Sequence, residues 1–116
     1  MPNPILKNNN QQLFFEENGY TVIDLLSHSE VTQLQAIFNA HLNSGSITSF
    51  TSTNIINSKE WRLKLADEIN HVIGQRLAEV FLNTKFWSPA FLIKPVGDNT
   101  EFKLHQDWTF VDEEHY

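Results

Sequence analysis

The chain has 116 residues, of which 41% are hydrophobic, 12% aromatic and 19% charged, and none is cysteine. That is enough for one domain with a real core, spanning 1–116, and too little for two; the missing thiol excludes disulfides, thiolate zinc sites and cysteine nucleophiles. Fourteen acidic residues against eight basic ones give a formal charge of −6, which argues against nucleic acid as the main partner.

Residues 1–10, rich in Pro and Asn, read as a loose N-terminal arm. The opening "MPNPILKNNNQQ" lacks the apolar stretch of a signal peptide. No later run approaches the length of a membrane span, so the expectation is a cytoplasmic protein without a membrane partner. "QQLFFEENGY" reads as a short helix, with Gly19 placed to end it in the left-handed conformation. "YTVIDLL" (20–26) is β-branched and aromatic and predicts a strand.

"SHSE" (27–30) predicts a capping box: the Ser27 hydroxyl accepts from the Glu30 N–H while the Glu30 carboxylate reaches back. The helix it opens places Val31, Leu34, Ile37, Phe38 and Leu42 on one face and is expected to stop at Gly45. Residues 46–58 are Ser/Thr/Asn-rich and predict a loop with room for one short strand. Asn57 and Glu60 repeat the capping spacing. The following helix should run to about Leu82, with Leu65, Ile69, Val72, Ile73, Leu77 and Val80 on its apolar side and Lys64, Asp67, Glu68, Gln75, Arg76 and Glu79 on the other.

The character then changes. "FWSPAFLIKPV" (86–96) is aromatic and β-branched, "GDNT" (97–100) is turn chemistry, and "EFKLHQDWTFV" (101–111) alternates. The two runs predict neighbouring antiparallel strands. On the second, His105 and Asp107 share one face because strand side chains alternate. They are separated by roughly 6–7 Å of rise, close enough for both tips to lean onto one metal ion. Trp108 and Phe110 fall on the opposite side. An imidazole and a carboxylate beside open positions begin the facial triad of non-haem Fe(II) oxygenases. A His-x-Asp pair by itself is also what a solvated strand face carries, and an incidental pair on an unrelated α+β binding module is a further reading.

Other candidates are weaker. His115 shares parity with His105, but eight residues of extended strand carry it roughly 26 Å away. Asp67 and His71 are spaced for a local helical ion pair. His28 lies in the first turn of a capped helix, and His41 sits near a helix C-terminus, where a cation favours the dipole. Glu113 and Glu114 read as solvated.

"FLIKPVGDNTEFKLHQDWTFVDE" together with "FFEENGYTVIDLLSHSEVTQLQ" resembles the phytanoyl-CoA dioxygenase family of Fe(II)/2-oxoglutarate oxygenases, from about Leu13 to Glu114. The resemblance implies that His105 and Asp107 are the first two iron ligands, with Gln106 a common residue between them. It places Lys94 in the region lining the co-substrate pocket. Related halogenases carry a small residue in place of the carboxylate, so Asp107 favours hydroxylation. The family's second His and its 2-oxoglutarate-binding Arg come from later strands of a double-stranded β-helix, or jelly roll, which the 116 residues do not include.

The expected fold is α+β: N-terminal helices packed on an incomplete antiparallel sheet, the first part of that jelly roll. The expected function is that of an N-terminal fragment of an Fe(II)/2-oxoglutarate dioxygenase. It would act on a small-molecule substrate, carry two iron ligands and be inactive alone. The alternative is a truncated, non-catalytic α+β domain with a vestigial or structural ligand pair. It would self-associate through exposed strand edges, and two His105/Asp107 pairs would then form a composite site in a homodimer.

Overall fold

A computed structural model describes residues 3–86, 88–97, 101 and 104. The elements run α1 (Asn9–Asn18), α2 (His28–His41), β1 (Thr51–Ser52), α3 (Lys59–Val80) and β2 (Leu92–Ile93), with a 3-10 turn at Ser44–Ser46. Among the described residues the fold is therefore α+β, helices beside a two-stranded antiparallel sheet.

Local chemistry sets the helix ends. Asn8 caps α1, its Oδ1 accepting from the N–H groups of Asn10 and Gln11 at 3.0 and 3.1 Å. Gly19 ends it as expected, at φ 77°, donating to the Phe15 carbonyl. Ser27 and Glu30 form the full capping box at the start of α2: Glu30 Oε2 accepts from the Ser27 N–H at 2.7 Å, and the Ser27 hydroxyl accepts from the Glu30 N–H at 3.3 Å.

Two helix boundaries differ from expectation. Gly45 does not stop α2; the helix ends at His41, where Leu42 turns extended (φ −128°), and Gly45 falls inside the 3-10 turn. Ser58 rather than Asn57 caps α3, its hydroxyl accepting from the Trp61 N–H at 3.2 Å. Asn57 instead takes the left-handed conformation (φ 62°), which Asn tolerates better than most residues, and its side chain accepts from the Ser58 N–H.

The N-terminal arm, where described, is not loose. Leu6 is 2% exposed and pairs across an antiparallel bridge with Phe81. The Lys7 N–H donates to the Val80 carbonyl at 2.9 Å, and the Leu82 N–H donates to Ile5 at 2.8 Å. Lys7 Nζ donates to the Ala78 carbonyl at 2.6 Å, putting a cation where the last turn of α3 has unpaired acceptors. Gln12 fixes the arm from the other side. It is buried, its Oε1 accepts from the N–H groups of Ile5 and Leu6 at 3.0 and 2.9 Å, and its Nε2 donates to Glu16. Pro and Asn density reports local turn chemistry and carries no sign of a partner some 75 positions away, as between Leu6 and Phe81.

Residues 20–26 form no ladder with any other described segment, against the expected strand. Their exposure still alternates: Tyr20, Val22 and Asp24 face out, while Thr21, Ile23 and Leu25 are half-buried. The composition sets a strand's side-chain pattern; the ladder needs a neighbour as well.

The core centres on α3. Leu65, Ala66 and Ile69 are buried along one stripe, and Val72, Ile73, Leu77 and Val80 continue it half-buried. Complete burial of a leucine such as Leu65 is worth about 1.5–3 kcal/mol. The polar side of α3 does more than meet water. Arg76 Nε donates to Glu30 Oε1 at 2.9 Å, and Glu68 Oε2 lies 2.8 Å from His41 Nε2. The two pairs tie opposite ends of α2 to α3, which run antiparallel. Arg76 also reaches Glu79 at 3.1 Å. The Asp67–His71 pair does not form; both side chains are exposed.

Two predictions follow from these contacts. Gln12→Ala strands two backbone N–H groups, one of them on buried Leu6, and should lower stability by about 1–3 kcal/mol in urea unfolding; an unchanged midpoint would mean that water replaces the amide. The Glu30 carboxyl is held below its ordinary value of 4.5 by the Ser27 backbone N–H first and then by Arg76. A depressed carboxyl stabilises the fold above pH 4.5, and that stabilisation is lost as pH falls through the lower folded-state value. The stability gap between the parent chain and Glu30→Gln should therefore be largest near neutral pH and close below pH 4.5; a gap independent of pH would contradict this linkage.

Candidate functional site

The short ladder positions the one sequence-predicted site residue that lies among those described. Thr51 pairs with Ile93 and Ser52 with Leu92. The pairing extends one residue further by an unusual route. The Thr53 N–H donates to the Phe91 carbonyl at 3.0 Å, and the Thr53 hydroxyl accepts from the Phe91 N–H at 2.9 Å. Thr53 is 2% exposed, so its hydroxyl does in the interior what a backbone carbonyl does in a regular ladder.

That bond holds Phe91 against α2. The rings of Phe91 and Phe38 meet edge to face, with centroids 5.3 Å apart and planes at 87°. Such a pair adds about 0.5–1.5 kcal/mol beyond its buried area. Between α2 and the strand lies an open cleft of about 690 Å³. Leu34, Gln35, Phe38 and Asn39 form one wall, and residues 91–94 form the other.

Lys94 stands at this cleft, exposed, with no hydrogen bond or ion pair to any described residue. It is the sole charge among the eight described lining residues, two of which are aromatic and two of which are amides. The arrangement offers an apolar bed, amide donors and acceptors, and one ammonium: the composition of a site for a small ligand carrying negative charge.

His105 and Asp107 lie outside the described residues, as do Gln106, Trp108, Phe110, His115 and most of the strand expected at 101–111. Among the described residues the ladder partner of the 86–96 run is β1, reached across the whole of α3; the expected pairing with 101–111 falls on residues outside those described. Among the described residues no three His, Asp or Glu side chains come together as a metal cluster, and no helix is long and apolar enough to cross a membrane. His28 is exposed, and His41 is engaged with Glu68 and packed edge-on to Trp61, with ring centroids 6.1 Å apart.

Sequence reasoning missed Thr53, Gln35 and Asn39. Thr53 sits in a Ser/Thr/Asn-rich loop and nothing marks it from its neighbours. Gln35 and Asn39 are four residues apart, which predicts a shared helical face, but nothing in the pattern says that a strand lies opposite. No known family, characterised protein or solved structure matches the chain.

Thr53→Val keeps the shape and removes the acceptor, leaving the Phe91 N–H unpaired in a part-buried setting. It should cost about 1–3 kcal/mol and speed hydrogen exchange at the Phe91 amide. Unchanged exchange there would show that the hydroxyl does not hold the cleft wall.

Proposed function

We propose that this chain carries the first two iron ligands, His105 and Asp107, of an Fe(II)/2-oxoglutarate-dependent oxygenase of the phytanoyl-CoA dioxygenase type, hydroxylating a small molecule. The observation that carries the reading is the motif Leu104-His105-Gln106-Asp107, preceded by the "FLIKPV" run and, far upstream, by "ENGYTVIDLL" and a capped helix. The placement of β2 is compatible with it: the strand just before the motif is already paired, antiparallel, with β1 from the other side of α3. On this reading the ladder is the start of a jelly roll.

The donor set fits the metal. One imidazole and one carboxylate are ligands that ferrous iron accepts, and a third protein donor with open positions beside it completes the usual arrangement. When bound, iron and 2-oxoglutarate supply the activation of O₂ that hydroxylation of an unactivated C–H bond requires. The chain's own part is to hold and orient: His105 as a neutral imidazole, Asp107 as an ionised carboxylate, both deprotonated for ligation. The resemblance places Lys94 in the region lining the co-substrate pocket; its ammonium has no partner among the described residues and stands beside an apolar cleft.

A second reading has its own observation. Residues 20–26 alternate like a strand without a ladder partner among the described residues, and Val22 is 81% exposed. A self-associating, non-catalytic domain would use such an edge, and its two His105/Asp107 pairs would form one composite metal site.

One experiment separates the readings. Mn(II) titration of the 116-residue chain, followed by electron paramagnetic resonance alongside sedimentation, should give one ion per chain. His105→Ala and Asp107→Ala should each weaken binding more than about tenfold. Fe(II)-dependent succinate formation should be absent, because two ligands do not complete the site. One ion per two chains in a dimer would favour the second reading. Binding that survives both substitutions would overturn the ligand assignment.

A further inference from the structure

The make-up of the cleft between α2 and β2 points to a particular occupant for Lys94, and we propose that it binds a small aromatic carboxylate, its ring against Phe38 and Phe91 and its anionic end on the Lys94 ammonium. The inference stands apart from the iron reading and needs no metal.

Three observations carry it. The first is charge. In a chain of net charge −6, the eight described residues lining this cleft include one cation and no carboxylate, and the cation has no partner among the described residues. A free ammonium beside an apolar surface attracts an anion more strongly than the same group in open water, because the low-dielectric wall screens less.

The second is the bed. Phe38 and Phe91 are already fixed edge to face, and Phe91 is held by the Thr53 hydroxyl at 2.9 Å, so little ordering remains to be done when a ligand arrives. Leu34 and Ile93 complete the apolar surface. A third ring adds to such a pair by stacking or edge contact as well as by burial.

The third is size and polarity. About 690 Å³ lies within the range of small-ligand sites, and Gln35 and Asn39 supply a few directional groups rather than a polar cage. 2-Oxoglutarate is a poorer match: a compact dianion with little apolar surface would leave the aromatic wall uncovered and one carboxylate without a cation. The geometry thus favours a ligand of substrate type over the co-substrate at this position.

The probe is 2-naphthoate, followed by backbone amide NMR on the 116-residue chain without metal. Shifts should concentrate at 34–39 and 91–94. Lys94→Gln, at an exposed position and checked by circular dichroism, should weaken 2-naphthoate about tenfold, the effect of losing one charge-assisted contact. 2-Naphthol, with the same ring system and no carboxylate, should bind about tenfold more weakly than 2-naphthoate and be indifferent to Lys94→Gln. Acetate and 2-oxoglutarate should leave the cleft amides unmoved at concentrations where 2-naphthoate saturates. Phe91→Leu should weaken 2-naphthoate while leaving a Lys94 contribution measurable. The proposal is overturned if 2-naphthoate moves no cleft amide, if Lys94→Gln binds it as well as the parent chain, or if 2-oxoglutarate displaces it from the cleft. The last result would return Lys94 to the co-substrate. Loss of Mn(II) binding in the His105 and Asp107 variants bears on the iron reading alone.

Discussion

The buried stripe of α3 is the constraint on which the rest of the structure depends. Leu65, Ala66 and Ile69 sit in the interior, and the helix is long enough to give each other element a place to attach. α2 is fastened to it at both ends, by Glu30–Arg76 and His41–Glu68. The N-terminal arm closes over its C-terminal turn through Leu6, Lys7 and Phe81. A domain of this size has little apolar area to spare, so polar groups that must be buried are each answered. Gln12 serves two N–H groups, Thr53 serves Phe91, and no buried side-chain polar atom among the described residues lacks a partner.

Much of this was legible in the sequence where the information is local. The Ser27–Glu30 box, the Gly19 stop and the two faces of α3 follow from spacing within a turn or two of helix, and the structure has them. Two helix boundaries depart from the local pattern: α2 stops at His41, four residues before Gly45, and at the start of α3 two neighbouring residues both offer capping chemistry. Asn57 and Ser58 are both good caps; the left-handed turn at Asn57 hands the role to Ser58. What could not be read was long-range. Nothing in "NPILK" announces a bridge to Phe81, and nothing in "FTST" announces that its threonine will complete a ladder with Phe91.

The candidate site shows the same division. The pairing of His105 with Asp107 rests on strand parity and on the motif around them, both local, and it stands as a proposal about ligands. Lys94 could be named from the sequence, but its surroundings could not. The aromatic pair behind it joins a residue of α2 to the residue just before β2, on either side of α3 in the chain. The cleft is therefore a product of tertiary packing, and the chemistry proposed for it comes from neighbours that spacing alone does not bring together.

The Thr53–Phe91 contact also bears on how the chain acquires its shape. Its two residues are 38 positions apart, and the whole of α3 lies between them. Closing a loop of that length costs entropy before any bond is formed, and a two-residue ladder returns little until the helix inside the loop has shortened the span. α3 can form from contacts within its own turns; the ladder cannot. Chain connectivity thus favours one order of assembly: helix first, then the β1–β2 ladder and its Thr53–Phe91 extension closed over it, and then a cleft with two walls. A ligand that fills the cleft binds the finished state alone, so it would also hold the last-formed part of the fold in place.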